Sequence, residues 1–239
     1  MSEKLFLTEA LATGYGDIQV LWGVDLDVDA GEIVCLVGSN GAGKSTLLKC
    51  VSGLLPATAG RVLMKGVDIS HATSDQVLDA GIAQVPEGRR LFSAMSVKNN
   101  LLMGAYLRRD GQVAIQKELQ FVFDLFPILA ERMGQNAGTL SGGEQQMCAV
   151  ARGIMSKPAL LMIDELSLGL APIMVERLGK ALLEINRTGI SILLVEQDVT
   201  AAFELSRRGF VLESGRVVLS GPTSELVKNS MVQEAYMGI

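Results

Sequence analysis

A glycine-rich segment that ends in lysine and serine is the first feature of this sequence that could do chemistry. It begins at Gly38, fits the pattern G-x-x-x-x-G-K-[ST] in full, and lies between an apolar run and a helical pattern. Glycines let backbone N–H groups approach and wrap phosphates, and the following helix aims its positive N-terminus at them. The segment therefore predicts a nucleoside triphosphate site. Its candidate ligands are Gly38, Ser39, Asn40, Gly41, Ala42, Gly43, Lys44, Ser45 and Thr46.

Two side chains of this phosphate loop have distinct predicted roles. Lys44 supplies a point charge near the β- and γ-phosphates, and Ser45 supplies a hydroxyl for Mg²⁺. The pattern identifies the class of ligand, but it does not say what the energy of hydrolysis is used for.

Two adjacent carboxylates, Asp164 and Glu165, follow an apolar run over residues 160–163. In a protein with a phosphate loop, the aspartate at the strand end would hold Mg²⁺, directly or through water. The glutamate would orient or deprotonate the attacking water. Alone, an Asp-Glu pair could equally begin an ordinary loop, and the phosphate loop upstream favours the chemical roles.

A second candidate anion site is the string Leu140–Gln146, which precedes another helical pattern. Ser141 is a favourable N-cap, and the glycines after it leave the first amides of the helix open to an anion. An isolated Ser-Gly-Gly would be an ordinary helix cap without a ligand. The candidate ligands here are Ser141, Gly142, Gly143 and Glu144.

The elements that must position these residues alternate between strands and helices, which predicts an α/β fold. Residues 1–37 have strand patterns, and Val24–Asp29 alternates strictly between apolar and acidic residues. Residues from about 90 to 157 carry only helical patterns, which predicts a helical lobe inserted into an α/β lobe. The later predictions are a strand over 159–163, a helix over 172–187, a strand over 190–195, a helix over 199–206 and a hairpin around Ser214-Gly215.

Composition excludes several classes of protein. Three cysteines at wide spacing and one histidine fit neither a disulfide scaffold nor a zinc module. The net charge is −5 and no basic run exceeds a pair, which argues against a nucleic-acid partner. The longest uncharged stretches have 11 residues, whereas a spanning helix needs about 18 or more apolar residues. The first residues lack the basic and apolar regions of a signal peptide.

The phosphate loop, the acidic pair and the string Leu140–Gln146 together resemble the ATP-binding subunits of ABC transporters, over essentially the whole chain. The resemblance implies one ABC ATP-binding domain over 1–239, with a RecA-like P-loop NTPase core, an N-terminal antiparallel β-subdomain and a helical subdomain at roughly 90–157. In that family the string is the signature motif, which contacts the γ-phosphate of an ATP held by the other subunit. A head-to-tail dimer with two ATP molecules and Mg²⁺ is therefore implied.

The resemblance also places an aromatic ring against adenine, and Tyr15 stands at the matching position. Ordinary packing of a tyrosine within a Gly-Tyr-Gly loop is the alternative. Trp22 is expected in the core, and His71 in a surface loop.

Three further segments, Val85–Phe92, Ser167–Pro172 and Leu194–Gln197, resemble one of the two ATPase subunits of branched-chain amino-acid importers. This implies transmembrane permease subunits as partners, a dimer with a second ATPase subunit or with itself, and an external solute-binding protein. It also implies a peripheral position on the cytoplasmic face of the inner membrane. Importers for urea, amides or other small solutes share much of the pattern. A soluble ATP-gated clamp and a regulatory module that does not hydrolyse ATP remain alternatives.

Three positions depart from the broad family pattern. Glu87 stands where most members carry a glutamine, and it is expected to coordinate Mg²⁺ through oxygen. Gln197 stands where most carry a histidine, and its amide can hydrogen-bond a phosphate oxygen. Leu166 stands where most members carry a proline. Leucine lacks the φ constraint of proline, and this predicts a small shift in the loop Ser167–Leu170. That loop touches the opposite subunit in this family.

A final segment, Arg89–Phe92 with Met95, has two interpretations. In the family, this stretch and the helical lobe form the groove that receives a cytoplasmic helix of a membrane subunit. Alternatively, Leu91 and Phe92 belong to the core of the helical lobe and the arginines are solvated. Arg132 and Arg152 are expected to form structural ion pairs or to lie in solvent.

Overall fold

The computed structural model of the protein describes residues 4–237, which form a four-stranded and a six-stranded sheet with helices around them. Within these residues no helix is long and apolar enough to span a bilayer. The strands are β1 (Lys4–Tyr15), β2 (Ile18–Asp29), β3 (Ile33–Val37), β4 (Ala59–Met64), β5 (Val67–Asp68), β6 (Ile82–Val85), β7 (Leu160–Asp164), β8 (Ser191–Glu196), β9 (Arg208–Glu213) and β10 (Arg216–Pro222).

The helices fall into two groups, those beside the strands and those gathered between β6 and β7. They are α1 (Lys44–Val51), α2 (Ser74–Asp79), α3 (Val97–Gly104), α4 (Gln112–Leu125), α5 (Pro127–Glu131), α6 (Gly142–Ile154), α7 (Pro172–Arg187), α8 (Val199–Leu205), α9 (Thr223–Leu226) and α10 (Ser230–Val232). A single 3₁₀ turn covers Ala137–Thr139, and a π-helical turn covers Gln233–Met237.

The smaller sheet is antiparallel, with the strand order β2-β1-β4-β5. Its long strands follow from the sequence pattern, because the alternating residues of Val24–Asp29 place Val24, Leu26 and Val28 in the interior. The sheet therefore buries one face.

The larger sheet has the order β10-β9-β3-β8-β7-β6, and its strands β6, β7, β8, β3 and β9 pair in parallel. It is buried on both faces, which explains why its strands are continuous apolar runs rather than alternating ones. Within β8, Ile192 and Leu194 belong to the apolar cluster of α6 and α7, whereas Leu193 and Val195 belong to the cluster of α1 and the smaller sheet.

The helical segments between β6 and β7 lie within the predicted helical region of about 90–157. Ser96 and Ser141 cap α3 and α6, and each side chain accepts a hydrogen bond from the amide three residues on. Helix α7 begins at Pro172 and is followed by Gly189, whose φ of 97° ends the helical path.

Several short elements escaped prediction from sequence. Helix α2 buries only Val77, and β6 has four residues, so neither carries enough periodic signal to stand out. The expectation that Trp22 lies in the core is wrong: its side chain is 43% exposed, with the guanidinium of Arg216 5.5 Å from its ring. His71 is exposed in a turn, as expected.

Candidate nucleotide-binding site

Three neighbouring parallel strands end at one edge of the larger sheet, and each delivers a predicted site residue there. Val37 of β3 is in register with Glu196 of β8, and Asp164 of β7 is in register with Val195. The residues that follow these strands therefore emerge side by side. They are the phosphate loop after Val37, Glu165 after Asp164 and Gln197 after Glu196.

The phosphate loop is held closed by its own lysine. The ammonium of Lys44 donates to the carbonyls of Gly38 at 2.8 Å and Ser39 at 3.2 Å, and the residue is only 5% exposed. Gly43, with a φ of 107°, turns the chain into α1. Gly38 has no room for a side chain, since a Cβ there would lie 2.3 Å from the carbonyl oxygen of Leu212. The loop is thus preformed at the N-terminus of helix α1, where backbone N–H groups can bind phosphate.

Glu165 approaches the phosphate loop from the end of β7, which β8 separates from β3. Its Oε1 lies 3.7 Å from Nζ of Lys44, and both side chains are largely buried. The backbone of Glu165 has a φ of 50°, in the left-handed region that non-glycine residues seldom adopt. Such strain persists only where the surroundings enforce it, and it is frequent at functional sites.

Asp164 is the residue best suited to a cation. It is 4% exposed, and among residues 4–237 its Oδ1 is a buried side-chain oxygen without a hydrogen-bond partner. Burial raises the pKa of Asp164 to about 6, a hydrogen bond with Ser45 opposes the rise, and the nearby Glu165 and Glu87 add to it. An orphaned buried acceptor beside a serine hydroxyl fits an oxygen-seeking ion such as Mg²⁺.

The described residues hold no cluster of three or more histidine, cysteine or acidic side chains that could bind a metal alone. An ion at Asp164 and Ser45 therefore depends on further oxygens. Mg²⁺ characteristically takes one or two carboxylates and completes its shell with phosphates and water. The donor set and the neighbouring phosphate loop fit that pattern.

The two residues that replace the usual family glutamine and histidine both face solvent. Glu87 is exposed, yet it lines the same groove as Ser45 and Asp164. Gln197 is exposed between β8 and α8. Because both side chains are exposed, they can reach a ligand bound at the sheet edge.

Tyr15 lies at the end of β1 beside the first turns of α1. Its hydroxyl is 3.5 Å from Oγ1 of Thr46 and receives a hydrogen bond from Lys49 at 3.3 Å. The ammonium of Lys49 also lies 5.6 Å from the ring centroid, and the ring is 46% exposed. The bond with Thr46, together with Lys49, lowers the pKa of Tyr15. The tyrosine is therefore a partly open ring next to the phosphate loop rather than a packed core residue.

The candidate signature Leu140–Gln146 forms the start of α6. Ser141 and Glu144 make a capping box, in which the amide of Ser141 donates to Glu144 at 2.8 Å, and Arg132 pairs with Glu144 at 3.3 Å. A Cβ at Gly143 would lie 2.4 Å from the terminal methyl of Met174, so the Met174 side chain would have to move. No hydrogen bond or ion pair of the described residues joins this segment to the phosphate loop of the same chain.

A groove of about 710 Å³ runs between the sheet edge and the helices that follow β6. Phe92 lines it and is 48% exposed, so the alternative interpretation that placed this residue in the core is wrong. Leu91 does pack against the helical core cluster. Phe92 therefore agrees with the docking interpretation, and Leu91 agrees with the core interpretation.

Two residues near the site make contacts that the sequence did not predict. Arg152 donates to the carbonyls of Arg90 at 2.8 Å and Arg89 at 3.3 Å, instead of pairing with an acid or lying free in solvent. Glu196 is 2% exposed and accepts two hydrogen bonds from Ser167. Both contacts join segments that are far apart in the chain, so the sequence does not reveal them. The one available signal was that Glu196 directly precedes Gln197 in the sequence.

Comparisons with known proteins agree with this geometry. A family model described as "ABC transporter" matches residues 21–167. The high-affinity branched-chain amino acid transport ATP-binding protein BraG of Pseudomonas aeruginosa is 44% identical over 96% of this chain and 98% of its own. The probable branched-chain amino acid transport ATP-binding protein LivF of Archaeoglobus fulgidus is 36% identical over 97% and 98%.

The fold is also that of a solved structure, an ATP-binding cassette of an ABC transporter in its ADP conformation. It superposes with a TM-score of 0.86 over 99% of both chains, at 24% sequence identity. The mixed α/β architecture with an antiparallel sheet beside a parallel one is therefore the ABC cassette fold.

Proposed function

The chain belongs to the ABC transporter family as one of its ATP-binding subunits, and we propose that it hydrolyses ATP to drive an importer of branched-chain amino acids. The observation that carries the proposal is the convergence of the phosphate loop, Asp164, Glu165 and Gln197 at one sheet edge. The solute follows from the relatives, since two of them are described as transporting branched-chain amino acids.

In the proposed reaction, the chain contributes position and charge. The amides of residues 38–46 and the ammonium of Lys44 hold the phosphates and stabilise charge that develops on them. Glu165 orients the attacking water and accepts its proton, and Gln197 donates its amide to a phosphate oxygen. Exposed Tyr15 offers a ring face for stacking on adenine.

Ser45, Asp164 and Glu87 are the residues that we propose to hold Mg²⁺ with the nucleotide. The buried, unpartnered Oδ1 of Asp164 supports the assignment. A bound Mg²⁺ would neutralise negative charge on the phosphates. Glu87 is the most exposed of the three.

We propose that the whole chain, 1–239, acts as one ATP-binding domain with a helical subdomain at roughly 90–157, and that it works as a head-to-tail dimer. The support is the position of the signature, which among the described residues makes no hydrogen bond or ion pair to the phosphate loop of its own chain. Its ligands Ser141, Gly142, Gly143 and Glu144 would meet a γ-phosphate held by a second cassette. That cassette is a second copy or a related ATPase subunit.

The groove lined by Glu87 and Phe92 is the proposed docking place for transmembrane permease subunits. It lies next to Ser45 and Asp164, so movement of a docked helix and occupancy of the nucleotide site can influence each other. An external solute-binding protein would complete the system, with this chain peripheral on the cytoplasmic face of the inner membrane. The named transport relatives support this placement.

The test is capture of the assembly. Tagged Glu165→Gln, which should hold ATP without hydrolysing it, is expressed in the native cell, and its membranes are solubilised with Mg-ATP. Integral membrane subunits with a second P-loop ATPase are the expected partners in mass spectrometry. Glu204→Gln, at an exposed position in α8, is the charge-matched control. Recovery of nucleic acid, ribosomal proteins or only the chain itself would instead indicate a soluble ATP-gated clamp.

A further inference from the structure

A buried carboxylate at the end of β8 ties the catalytic segment to the neighbouring strand. Oε1 of Glu196 accepts the backbone N–H of Ser167 at 3.0 Å, and Oε2 accepts the hydroxyl of the same serine at 2.9 Å. Glu196 is 2% exposed, and it takes part in no ion pair among the described residues. We call this pair of hydrogen bonds the Glu196–Ser167 latch.

A carboxylate in this place is costly, which indicates that its bonding geometry matters. Burying an ionisable group without a cation is unfavourable, and the charged groups that act on Glu196, Glu165 and Asp198, are both acidic. Simple packing would be served by a neutral side chain. A planar carboxylate can accept the backbone amide on one oxygen and the hydroxyl of the same residue on the other, which a single-atom acceptor does less selectively.

The latch completes a three-point attachment of the segment 165–167. At one end the amide of Glu165 donates to the carbonyl of Val195 at 2.8 Å, and in the middle Leu166 is buried in the helical core cluster. At the other end Ser167 is held by Glu196. These contacts surround the left-handed backbone of Glu165, whose φ is 50°. A left-handed backbone at a non-glycine residue is unfavourable and persists only where surrounding contacts hold it in place.

We propose that Glu196 is a positioning residue for ATP hydrolysis: through Ser167 it holds the backbone of Glu165 and the loop Ser167–Leu170 in the arrangement that the reaction requires. The inference rests on the proposed function, in which Glu165 orients the water. In this role Glu196 acts through its hydrogen bonds to Ser167, and not through contact with the nucleotide or the metal. Because Gln197 follows Glu196 directly, the latch also links the two loops on either side of the γ-phosphate position.

The first experiment measures steady-state hydrolysis by the purified full chain. Glu196→Ala should lower kcat by about 10- to 100-fold, since a small displacement of a catalytic group has effects of that order. KM should stay within threefold, because the phosphate loop is untouched. Glu196→Gln should restore most of kcat, since its amide oxygen accepts the Ser167 N–H and its NH₂ donates to the hydroxyl. Adding Ser167→Ala to Glu196→Ala should cause no further fall.

A second readout does not depend on hydrolysis. Hydrogen–deuterium exchange of the peptide containing Ser167 should be faster in Glu196→Ala than in wild type and unchanged in Glu196→Gln. Unchanged exchange in Glu196→Ala overturns the latch. Wild-type kcat in Glu196→Ala, or equal loss in the alanine and glutamine variants, overturns the positioning role. A wild-type chain that does not hydrolyse ATP contradicts the proposed function instead, and leaves the exchange comparison to decide the latch.

Discussion

The ammonium of Lys44 lies 3.7 Å from the Oε1 atom of Glu165, so the lysine proposed to bind phosphate and the proposed base face each other, although they follow two strands, β3 and β7, that β8 separates. The lysine simultaneously donates to two carbonyls of its own loop. Binding of a phosphate would draw the ammonium toward the ligand and release Glu165 to face the attacking water.

This relationship leads to a prediction for Glu165→Gln. The amide keeps the shape of the side chain but cannot accept a proton, and general base catalysis contributes about 10²- to 10⁴-fold. We expect kcat to fall by at least 100-fold while ATP binding is retained. Phosphate release assays and equilibrium binding check the two parts, with Glu204→Gln as the control. Hydrolysis at the wild-type rate would remove Glu165 from the mechanism.

A second prediction concerns the open ring of Tyr15. Stacking of a base on an aromatic ring is worth about 1–3 kcal/mol in alanine substitutions. Tyr15→Ala should therefore weaken ATP binding by roughly tenfold, whereas Tyr15→Phe keeps the ring and should bind within about twofold of wild type. Isothermal titration calorimetry measures both. Tyr106→Ala, at an aromatic residue that is 77% exposed, is the control, and equal affinities in all variants would contradict the stacking role.

The third prediction concerns pH. Burial raises the pKa of Glu196 to about 6, the hydrogen bonds from Ser167 oppose this rise, and Glu165 and Asp198 add to it. The folded state thus binds the proton more tightly than the unfolded state. The contribution of Glu196 to stability is fully present below its unfolded pKa, near 4.3, and is lost as the pH rises through about 6.

Glu196→Gln does not titrate, so its free energy of unfolding relative to wild type should rise by about 2 kcal/mol between pH 4.5 and pH 7.5. Urea denaturation of both proteins across this range gives the difference, in which the titration of other groups largely cancels. A difference that stays flat with pH would contradict a raised pKa at Glu196.

A fourth prediction concerns Leu166, which replaces the proline that is usual in the family. The side chain is 1% exposed and belongs to the helical core cluster. Leu166→Pro should therefore lower the free energy of unfolding by about 2 kcal/mol or more, because a smaller ring leaves a cavity. Leu166→Met conserves volume and should cost less than about 1.5 kcal/mol. Chemical denaturation compares the variants.

The kinetics of Leu166→Pro test the expected loop shift separately. Faster turnover or tighter dimerisation in the proline variant would agree with a displaced loop Ser167–Leu170 in the wild-type chain. Identical ATPase kinetics would show that the loop does not depend on this position, and would leave its placement to the Glu196–Ser167 latch.

The sequence by itself determined the phosphate-loop pattern and the alternation of strands and helices, and its resemblance to a known family implied the signature and the ABC cassette fold. These features are local: the phosphate loop works through contiguous backbone amides, and the strands and helices around it follow from short apolar periods. Short elements such as β6 escaped because four residues carry too little pattern.

The tertiary structure alone decided how separate segments meet. Strand order and register bring Glu196 against Ser167 and Lys44 against Glu165, and they bury Asp164 with one oxygen unpartnered. They also leave Trp22 and Phe92 exposed, although both residue types favour the interior. Such contacts depend on long-range pairing of strands, which no local pattern encodes, because the same apolar run fits several neighbours equally well.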